Sequence, residues 1–402
     1  MDKKYVIAAI IAIVIIVAGI GIGLEYYHPA SKSQKEVVIY ADYGSTIASK
    51  YFNNFTKATG IKVIVTYGAM GTLTGKLIAD SSNPQADVLF GGAPSAYIEA
   101  ESHGIFTSYT PASIANQSEY LHGGIWRAGN WDWYPFTYAV LGMSVNTHNL
   151  GSAPMPTSFL NLTNTAYKGK IILENPTTST TTGLAYFSVV YQYFLEKNNN
   201  DTSAAKAQFH SYVQGVLNNT ITSQIQSDDE NAEVALGQSS TAAITIDWTY
   251  MPTLYAQEDG YSLVPALSNN TVLGPTAMAI INGAPHMTYA KDFVNWVLST
   301  EGQQNITTIF HKPPIIAGVP VPAGSYPISQ VKGDIFPYNQ TMTSSNFGYI
   351  SGLFTNLTAS NPAVAYQPAE ASYNQIHENG ALASSNYLGS VILSINRDLL
   401  GI

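Results

Sequence analysis

Short apolar runs alternate with helical periodicity from residue 36 onward, and this alternation limits the fold more than any other feature of the sequence. Val37–Ala41 is an apolar run of strand length, and a helix pattern begins near Thr46 and ends at Gly60. Ile61–Tyr67 is β-branched, and Asp87–Phe90 gives another short strand after a second helix pattern. Strands separated by helices predict a parallel sheet that is covered on both faces.

The loops that follow these strands, residues 42–46, 68–72 and 91–95, are predicted to meet at one rim of the sheet. In such sheets the carboxyl ends of the strands carry the ligand, because helix N-termini point there and offer unpaired backbone N–H groups. Those groups favour anions, and hydroxyl side chains in the loops add further donors. The candidate ligand-binding residues of this rim are Tyr43, Gly44, Ser45, Thr46, Gly71, Thr72 and Gly92.

The same pattern continues through the rest of the chain. Further strands are predicted at Ala139–Val145, Lys170–Leu173, Ala242–Ile246 and Val272–Ile281. In Tyr289–Leu298 apolar residues recur at intervals of three and four, which is typical of a helix with one buried face. The sequence shows no internal repeat, so it predicts a large α/β protein rather than a repeat array.

The N-terminus carries a hydrophobic segment. Tyr5–Leu24 is a run of 20 residues without a charged side chain. At about 1.5 Å per residue a helix of this length spans roughly 30 Å, the thickness of the hydrocarbon core of a bilayer. Lys3 and Lys4 precede the run and Glu25 follows it, so the positive-inside bias places the N-terminus in the cytoplasm and the later residues outside. We predict an anchor in the cell membrane, and a signal peptide removed on export is the alternative.

Asn-x-Ser/Thr sequons occur throughout the part of the chain predicted to lie outside the cell. They indicate a glycosylated outer surface, although Asn, Ser and Thr are abundant enough here for the motif to arise by chance. The sequons begin at Asn54, Asn116, Asn161, Asn200, Asn218, Asn269, Asn305, Asn339 and Asn356.

The composition excludes several kinds of site. The chain has no cysteine, which excludes disulfides, thiolate catalysis, iron–sulfur clusters and Cys-ligated zinc. Lys and Arg residues are few and scattered, so no nucleic-acid partner is expected. The sequence has no His-Glu-x-x-His pair, nucleophile elbow or Walker loop, and we expect neither catalysis nor a cofactor. A secreted glycan-active hydrolase and an anchored surface-structural protein are the alternatives, because the two carboxylates of a glycosidase need no fixed sequence spacing.

Six segments, in order along the chain, carry a resemblance to a known family. They are EVVIYADYGSTIASKYFNNFTKATGIKVIVTYGAMGTLTGKLIAD (36–80), PQADVLFGGAPSAYIEAESHGIF (84–106), NWDWYPFTYAVLGMSVNT (130–147), IILENPTTSTTTG (171–183), LGPTAMAIINGAPHMTYAKDFVNWVLSTEGQ (273–303) and HKPPIIAGVPVP (311–322). Through them the chain resembles the extracellular solute-binding proteins of ABC importers. It is most similar to the branch that includes ferric-iron and aminoethylphosphonate binders.

The resemblance implies an α/β, two-lobed type II periplasmic-binding-protein-like fold behind the N-terminal transmembrane helix. Two mixed sheets flanked by helices would enclose a hinged cleft, with crossing segments near 139–147 and 265–276. A monomer would capture a small ligand or ion, close its lobes and deliver the ligand to the permease subunits. The implied division is 1–29 for the cytoplasmic tip and anchor or signal segment, 30–35 for a tether, 36–140 and 269–330 for lobe 1, 141–268 for lobe 2, and 331–402 for a C-terminal helical extension.

The second lobe is expected to contribute a hydroxyl-rich loop to the cleft. The loop precedes a predicted helix that begins near Gly183, so its hydroxyls and the helix N-terminus would together form a cradle for an oxyanion or another polar group. The alternative is that these residues only cap the helix and form a turn. The candidates are Thr178, Ser179, Thr180 and Thr181.

Asp247, Trp248 and Tyr250 are further candidates, because they follow a predicted strand and begin a loop that would face the cleft. The ferric-binding branch has adjacent tyrosines at about this place, and here only Tyr250 matches them. If the ligand were ferric iron, Tyr43, Asp247 and Tyr250 would be its candidate ligands. We rank a phosphonate or another oxyanion first, then ferric iron or its complex, then a polyamine.

Overall fold

The computed structural model describes residues 35–177, 182–221, 225–226, 229–336 and 340–359. The predicted anchor at 5–24 and the candidates Thr178, Ser179, Thr180 and Thr181 lie outside these described residues. Within the described ranges, no helix combines the length and the apolar character that crossing a membrane requires.

Strands and helices alternate through the first part of the chain, as predicted. The α1 helix ends at Gly60, which adopts a left-handed conformation that glycine accepts without a Cβ penalty. The elements are β1 (Glu36–Asp42), α1 (Ser45–Thr59), β2 (Lys62–Tyr67), α2 (Met70–Ala79), β3 (Val88–Gly91), α3 (Pro94–Ser102), β4 (Tyr120–Leu121), β5 (Gly124–Ile125) and β6 (Tyr134–Asn146).

Helices dominate the second part of the chain. The predicted strand Lys170–Leu173 is not formed as a strand, because its residues make only isolated bridges, such as that of Ile171 with Ile244. The elements are α4 (Thr147–Leu150), α5 (Thr182–Lys197), α6 (Thr202–Asn219), α7 (Asp229–Gln238), β7 (Ile244–Trp248), α8 (Met251–Asp259), β8 (Leu263–Leu267), β9 (Thr271–Ile280), α9 (Met287–Val297), α10 (Thr300–Ile309), β10 (Ile335–Phe336) and α11 (Gln340–Ala359).

The strands join in one hydrogen-bonded path in the order β2–β1–β3–β9–β6–β7, with β8 added to β6 and β10 to β9. Strands β1, β2 and β3 are parallel, and β9 runs antiparallel to β3. The first half of β6 pairs with β9, and its second half pairs with β7 and β8. The two predicted sheets are thus joined in one path, because β6, with 13 residues, is long enough to pair with the strands of both.

Two large hydrophobic cores lie on either side of these shared strands. One core packs β1, β3, α1 and α9 around residues such as Phe90, Phe136 and Phe293, and we call this part lobe 1. The other packs α5, α6 and β7 around residues such as Phe187 and Phe209, and we call this part lobe 2. Burying one side chain of this size contributes about 1.5–3 kcal/mol, so both cores contribute to the stability of the fold.

The helix α11 extends the core of lobe 2. Its residues Ile350 and Phe354 are buried, and the ring of Phe354 lies 5.9 Å from that of Phe187. Tyr349 contacts Tyr191, with ring centroids 5.2 Å apart. The described part of the chain beyond β10 therefore packs on lobe 2 through an apolar helix face.

Candidate functional site

The loops after β1, β2 and β3 meet at one rim of lobe 1, which confirms the predicted arrangement. Strand register places Asp42 beside Gly91 and Ala41 beside Tyr67. The backbone N–H of Gly68 donates to the carbonyl of Ala41 at 3.2 Å, which holds the second loop against the first. All three strands run in the same direction, so their carboxyl ends and the following helix N-termini lie together.

Gly92 leaves room at the centre of this rim. It adopts φ +70°, and a Cβ placed on it would lie 2.5 Å from the Met70 side chain and 3.2 Å from Oδ2 of Asp42. A larger residue would therefore push apart the loops after β1 and β2. The small size of Gly92, a predicted ligand-binding residue, keeps this part of the rim open.

The helices that begin at this rim have open N-termini. Gly44, Ala69 and Ala93 are the N-cap residues of α1, α2 and α3, and none of these caps involves a side-chain hydrogen bond within the described chain. The Thr72 N–H in the first turn of α2 donates to the carbonyl of Ala69 at 3.0 Å. The other first-turn N–H groups of α1 and α2 rely on solvent or a ligand, and the partial positive charge of each helix end favours an anion. In α3 one such donor is missing, because Pro94 has no N–H.

Residues in the first turns are accessible. Gly44, Thr46, Gly71 and Thr72 are exposed, and Ser45 is partly exposed. These are five of the residues predicted for lobe 1, and the structure places them at the open N-termini of α1 and α2. Their hydroxyl and N–H groups can reach a solute that lies over the rim.

Tyr43 lies between the rim and the core of lobe 1. Its ring is 4.6 Å from that of Phe310 and 5.7 Å from that of Phe90. Its hydroxyl oxygen is buried and has no hydrogen-bond partner of acceptable geometry among the described residues. Burial raises the pKa of Tyr43 far above its ordinary value, the charge of Asp42 raises it further, and the nearby Thr276 hydroxyl lowers it. The phenol is therefore neutral at physiological pH, and its hydroxyl can still accept or donate a hydrogen bond.

Lys312 is the residue that the sequence reasoning missed. Its ammonium nitrogen lies 5.4 Å from the ring centroid of Tyr43 and 4.8 Å from that of Tyr250. It also lies 3.5 Å from the Thr276 hydroxyl on β9. Because Tyr43 belongs to lobe 1 and Tyr250 to lobe 2, the ammonium group bridges the two lobes. In the sequence, the one indication of this cation is that Lys312 is the single Lys or Arg of the family-like segment HKPPIIAGVPVP.

Asp42 stands beside this cation. Burial raises the pKa of the Asp42 carboxyl, and the charge of Lys312 lowers it to a smaller extent. The two groups are close enough to influence each other, but the carboxyl is partly desolvated and is protonated more easily than an exposed one. As Asp42 is protonated, the positive charge of Lys312 becomes less compensated.

In lobe 2 the predicted loop 247–250 begins two residues later than expected. Asp247 and Trp248 are the last residues of β7, because they pair with Gly142 and Leu141 on β6. Asp247 is completely buried, and its Oδ1 accepts the N–H of Trp248 at 2.6 Å. The expectation that Asp247 lies in a loop facing the cleft is therefore wrong: it lies in the strand.

Trp248 and Tyr250 remain partly exposed. The Trp248 ring packs over Gly274 of β9, where a Cβ would lie 2.6 Å from the indole. Tyr250 is the N-cap residue of α8 and presents its ring to Lys312. The structure thus brings Tyr43 and Tyr250 to one cation and leaves Asp247 inside lobe 2.

The N-terminus of α5 differs from those of lobe 1. The carboxylate of Glu174 accepts the hydroxyl of Thr182 through Oε1 and the N–H of Gly183 through Oε2, the latter at 3.2 Å. Glu174 is buried, so an internal carboxylate already occupies the first turn of this helix. No group of three or more His, Asp or Glu side chains able to hold a metal ion occurs in the ranges that the structure describes.

Comparison with known proteins identifies the family. The sequence model of a family described as bacterial extracellular solute-binding proteins matches residues 50–327. The chain belongs to this family. This match confirms the predicted family, whose members bind solutes for transport and do not catalyse a reaction. Membership of an extracellular family also supports a location outside the cytoplasm.

Individual relatives of this solute-binding protein are distant. A probable ABC transporter periplasmic-binding protein of Sinorhizobium fredii is 23% identical over 266 residues, which cover 65% of this chain and 69% of that protein. The Fe(3+)-binding periplasmic protein of Serratia marcescens is 22% identical over 300 residues, which cover 71% of this chain and 80% of that protein.

Solved structures share the two-lobed fold. Iron-bound HitA from Pseudomonas aeruginosa matches with a TM-score of 0.59 at 17% identity, over 80% of this chain and 99% of that one. The periplasmic binding protein AfuA from Actinobacillus pleuropneumoniae, with fructose-6-phosphate bound, matches with a TM-score of 0.59 at 19% identity, over 81% of this chain and 98% of that one. The predicted periplasmic-binding-protein-like architecture of this solute-binding protein is therefore confirmed.

Proposed function

We propose that this chain is the solute-binding subunit of an ABC importer and that it captures a small solute with an oxyanion group, of the phosphonate or phosphate class. The solute binds between the lobes, the lobes close, and the closed form delivers the solute to the permease subunits. The relative from Sinorhizobium fredii, whose name includes an ABC transporter, supports the transport role.

The ammonium group of Lys312 is the observation that carries the ligand class. It lies between Tyr43 of lobe 1 and Tyr250 of lobe 2, with the Thr276 hydroxyl 3.5 Å away. A cation held between two lobes attracts an anion that enters the space between them, and Arg or Lys with backbone N–H groups is a common combination for phosphate-type oxygens. The open N-termini of α1 and α2 supply such N–H groups.

The remaining contacts of the site follow from this placement. In lobe 1 the solute meets the first turns of α1 and α2, while Gly92 and the partly exposed Tyr43 line the floor beneath it. In lobe 2 Tyr250 and Trp248 provide aromatic walls. The loop of Thr178, Ser179, Thr180 and Thr181 stays a proposal from the sequence, and it would contribute only its hydroxyls, because the Glu174 carboxylate already occupies the first turn of α5. Asp247 supports β7 from within, since it is completely buried. The proposed ligand-binding set is Tyr43, Gly44, Ser45, Thr46, Gly71, Thr72, Gly92, Trp248 and Tyr250.

Ferric iron is the second candidate, because two relatives are named as an iron uptake protein and an Fe(3+)-binding periplasmic protein. Tyr43 and Tyr250 would be its phenolate ligands. The ammonium group of Lys312 lies within 5.4 Å of both rings, and it would repel a metal cation or a polyamine at the same place. The raised pKa of Tyr43 opposes a phenolate, so this geometry favours an oxyanion over a cation.

The placement of the chain at the cell surface is also proposed from the sequence. Residues 1–29 would hold the cytoplasmic tip and the anchor, 30–35 the tether, 36–140 and 269–330 lobe 1, 141–268 lobe 2, and 331–402 the C-terminal extension. We propose a monomer anchored through residues 5–24, with glycans on some of its sequons. The apolar run before a short tether supports this arrangement.

A thermal-shift screen of the purified full-length protein in detergent tests the proposal. Inorganic phosphate, methylphosphonate, ferric citrate, spermidine and glucose are compared at pH 5 and pH 7. A ligand present at about 100 times its Kd adds roughly 2.7 kcal/mol to the free energy of unfolding. We expect a shift with phosphate or methylphosphonate. A shift with ferric citrate or spermidine alone would overturn the ligand class, and the absence of any shift would overturn the binding role at this cleft.

A further inference from the structure

The backbone on either side of Lys312 is held in a defined shape. His311 has φ +52°, in the left-handed region that residues with a Cβ adopt at a cost. It directly follows Phe310, the C-cap residue of α10, and a left-handed residue at this position is a common way to end a helix, although glycine is the usual choice. The left-handed turn ends α10 and sends Lys312 towards the two tyrosines.

Two buried hydroxyl groups hold the peptides next to Lys312. The Ser325 hydroxyl donates to the carbonyl of His311 at 2.5 Å, and the Thr137 hydroxyl donates to the carbonyl of Pro313 at 2.7 Å. Ser325 is 8% exposed and Thr137 is completely buried, so water does not compete strongly for either carbonyl. The lysine thus sits between two carbonyl groups that are fixed from different sides.

The two hydroxyls come from parts of the fold that carry the rest of the site. Thr137 lies on β6, the strand shared by both lobes. Ser325 follows Gly324, whose φ is +82° and which packs so closely against Thr253 that a Cβ there would collide with it. Thr253 belongs to α8, the helix that begins after Tyr250. The loop that holds His311 therefore rests on the helix that presents Tyr250 to Lys312.

We propose that Ser325 and Thr137 are positioning residues for Lys312: their hydroxyls fix the carbonyls of His311 and Pro313, and so hold the ammonium group between Tyr43 and Tyr250. The inference rests on the proposed function, because the consequence of this positioning is tighter binding of an oxyanion. Neither residue needs to touch the solute.

A double-mutant cycle with inorganic phosphate tests the coupling. Calorimetric Kd values are measured for the full-length protein and for Ser325→Ala, Lys312→Ala and the double variant. Loss of one buried hydrogen bond corresponds to a roughly fivefold to tenfold weaker Kd for Ser325→Ala. The double variant is expected to bind no more weakly than Lys312→Ala alone, because the serine acts through the lysine.

Conservative and control variants separate positioning from general damage. Thr137→Val keeps the shape and is expected to weaken phosphate binding like Ser325→Ala, while Thr137→Ser keeps the hydroxyl and restores affinity. Ser329→Ala, at an exposed position in the same segment, is expected to leave the Kd unchanged. Additive losses in the double variant, or no loss in Ser325→Ala, would overturn the proposal.

A measurement without ligand distinguishes the proposed positioning of Lys312 from the proposed ligand class. Reductive ¹³C-methylation of the lysines, followed by NMR, is expected to give a Lys312 methyl signal shifted by the ring currents of Tyr43 and Tyr250. In Ser325→Ala this signal moves towards the position of an exposed lysine. If the wild-type protein binds no phosphate but the signal moves, the ligand class fails and the positioning stands; if the signal stays, the positioning fails.

Discussion

The helix N-termini of lobe 1 and the N-terminus of α5 in lobe 2 differ in what their backbone N–H groups contact. At the rim of lobe 1, α1 and α2 begin at Gly44 and Ala69, where no described side chain caps the first turn. In lobe 2, the first turn of α5 is closed by the buried carboxylate of Glu174. A helix N-terminus that already has an anion gains little from a second one, whereas an open N-terminus gains a hydrogen-bonded partner.

The difference divides the work of binding between the lobes. Lobe 1, with Lys312, offers positive charge and N–H donors to the charged end of a solute. Lobe 2 offers the aromatic surfaces of Trp248 and Tyr250, and its own carboxylate discourages a second anion at α5. We therefore expect charge recognition mainly in lobe 1, and each of the following changes tests that division.

Removing the bridging cation has the largest expected effect. Lys312→Ala should weaken phosphate binding by roughly 10-fold to 150-fold, because a charge-assisted contact in a partly buried site contributes about 1.5–3 kcal/mol. Titration calorimetry measures the loss, and circular dichroism checks the fold. Lys291→Ala is the matched control, since Lys291 also lies over a tyrosine ring, 5.4 Å from Tyr109, away from the cleft. Equal affinities of Lys312→Ala and the wild type for phosphate would show that the charge of Lys312 does not contribute to binding.

Giving α1 the kind of cap that α5 has should have the next largest effect. Gly44 has φ −58° and ψ 130°, which an N-cap aspartate can adopt. Gly44→Asp should weaken phosphate binding about tenfold, because its carboxylate accepts the first-turn N–H groups and repels the solute. Gly44→Asn is the control for charge, because an N-cap asparagine accepts the same first-turn N–H groups but does not repel the solute. Unchanged affinity in Gly44→Asp would show that the solute does not use this helix end.

Neutralising Asp42 should have a smaller effect, with a pH dependence of defined sign. Burial raises the pKa of Asp42 in the folded protein above its value in the unfolded chain, which is about 3.9. The protonated carboxyl therefore contributes its full share to the stability of the folded protein below about pH 3.9. That contribution is lost as the pH rises through the folded pKa. Asp42→Asn should therefore match the wild type in thermal stability near pH 3 and exceed it at pH 7. It should also strengthen phosphate binding a few-fold at pH 7, because Lys312 loses a competing anion. Thermal melts from pH 3 to pH 7 that show the opposite trend would contradict this assignment.

Changing the internal cap of α5 should affect stability but hardly affect binding. Glu174→Gln keeps the shape but weakens the acceptor for the Thr182 hydroxyl and the Gly183 N–H, which should cost about 1–2 kcal/mol in the free energy of unfolding. Phosphate affinity should stay within about twofold of the wild type, measured by calorimetry beside a urea melt. A large gain in phosphate affinity would mean that the solute also reaches α5, and the proposed division between the lobes would be wrong.

The sequence predicted the rim of lobe 1 because local patterns determine it. The apolar run Val37–Ala41, the stop at Gly60 and the strand Ile61–Tyr67 each follow from nearby residues, and parallel pairing then brings the following loops together. The same reasoning ended β7 two residues early, since the charge of Asp247 suggests a loop while β6 pairs with it across the sheet. Tertiary pairing overrides the local preference there.

The most informative residues of the site depend on long-range contacts that no local pattern encodes. Lys312 reaches Tyr43 because a left-handed turn at His311 and the hydroxyl of Ser325 direct it there. Glu174 caps a helix that begins eight residues later, beyond the spacing of an ordinary capping box. A single lysine and a single glutamate give no signal of a shared site until the chain is folded.

A crystal structure of the protein with the oxyanion that gives the largest thermal shift tests the central claim most directly. The distance to measure is that between the Lys312 ammonium nitrogen and the nearest solute oxygen. We expect a direct contact of about 2.7–3.2 Å, with first-turn N–H groups of α1 or α2 on the same oxyanion. A solute bound at the N-terminus of α5, or a ferric ion held by Tyr43 and Tyr250 with Lys312 turned away, would contradict it.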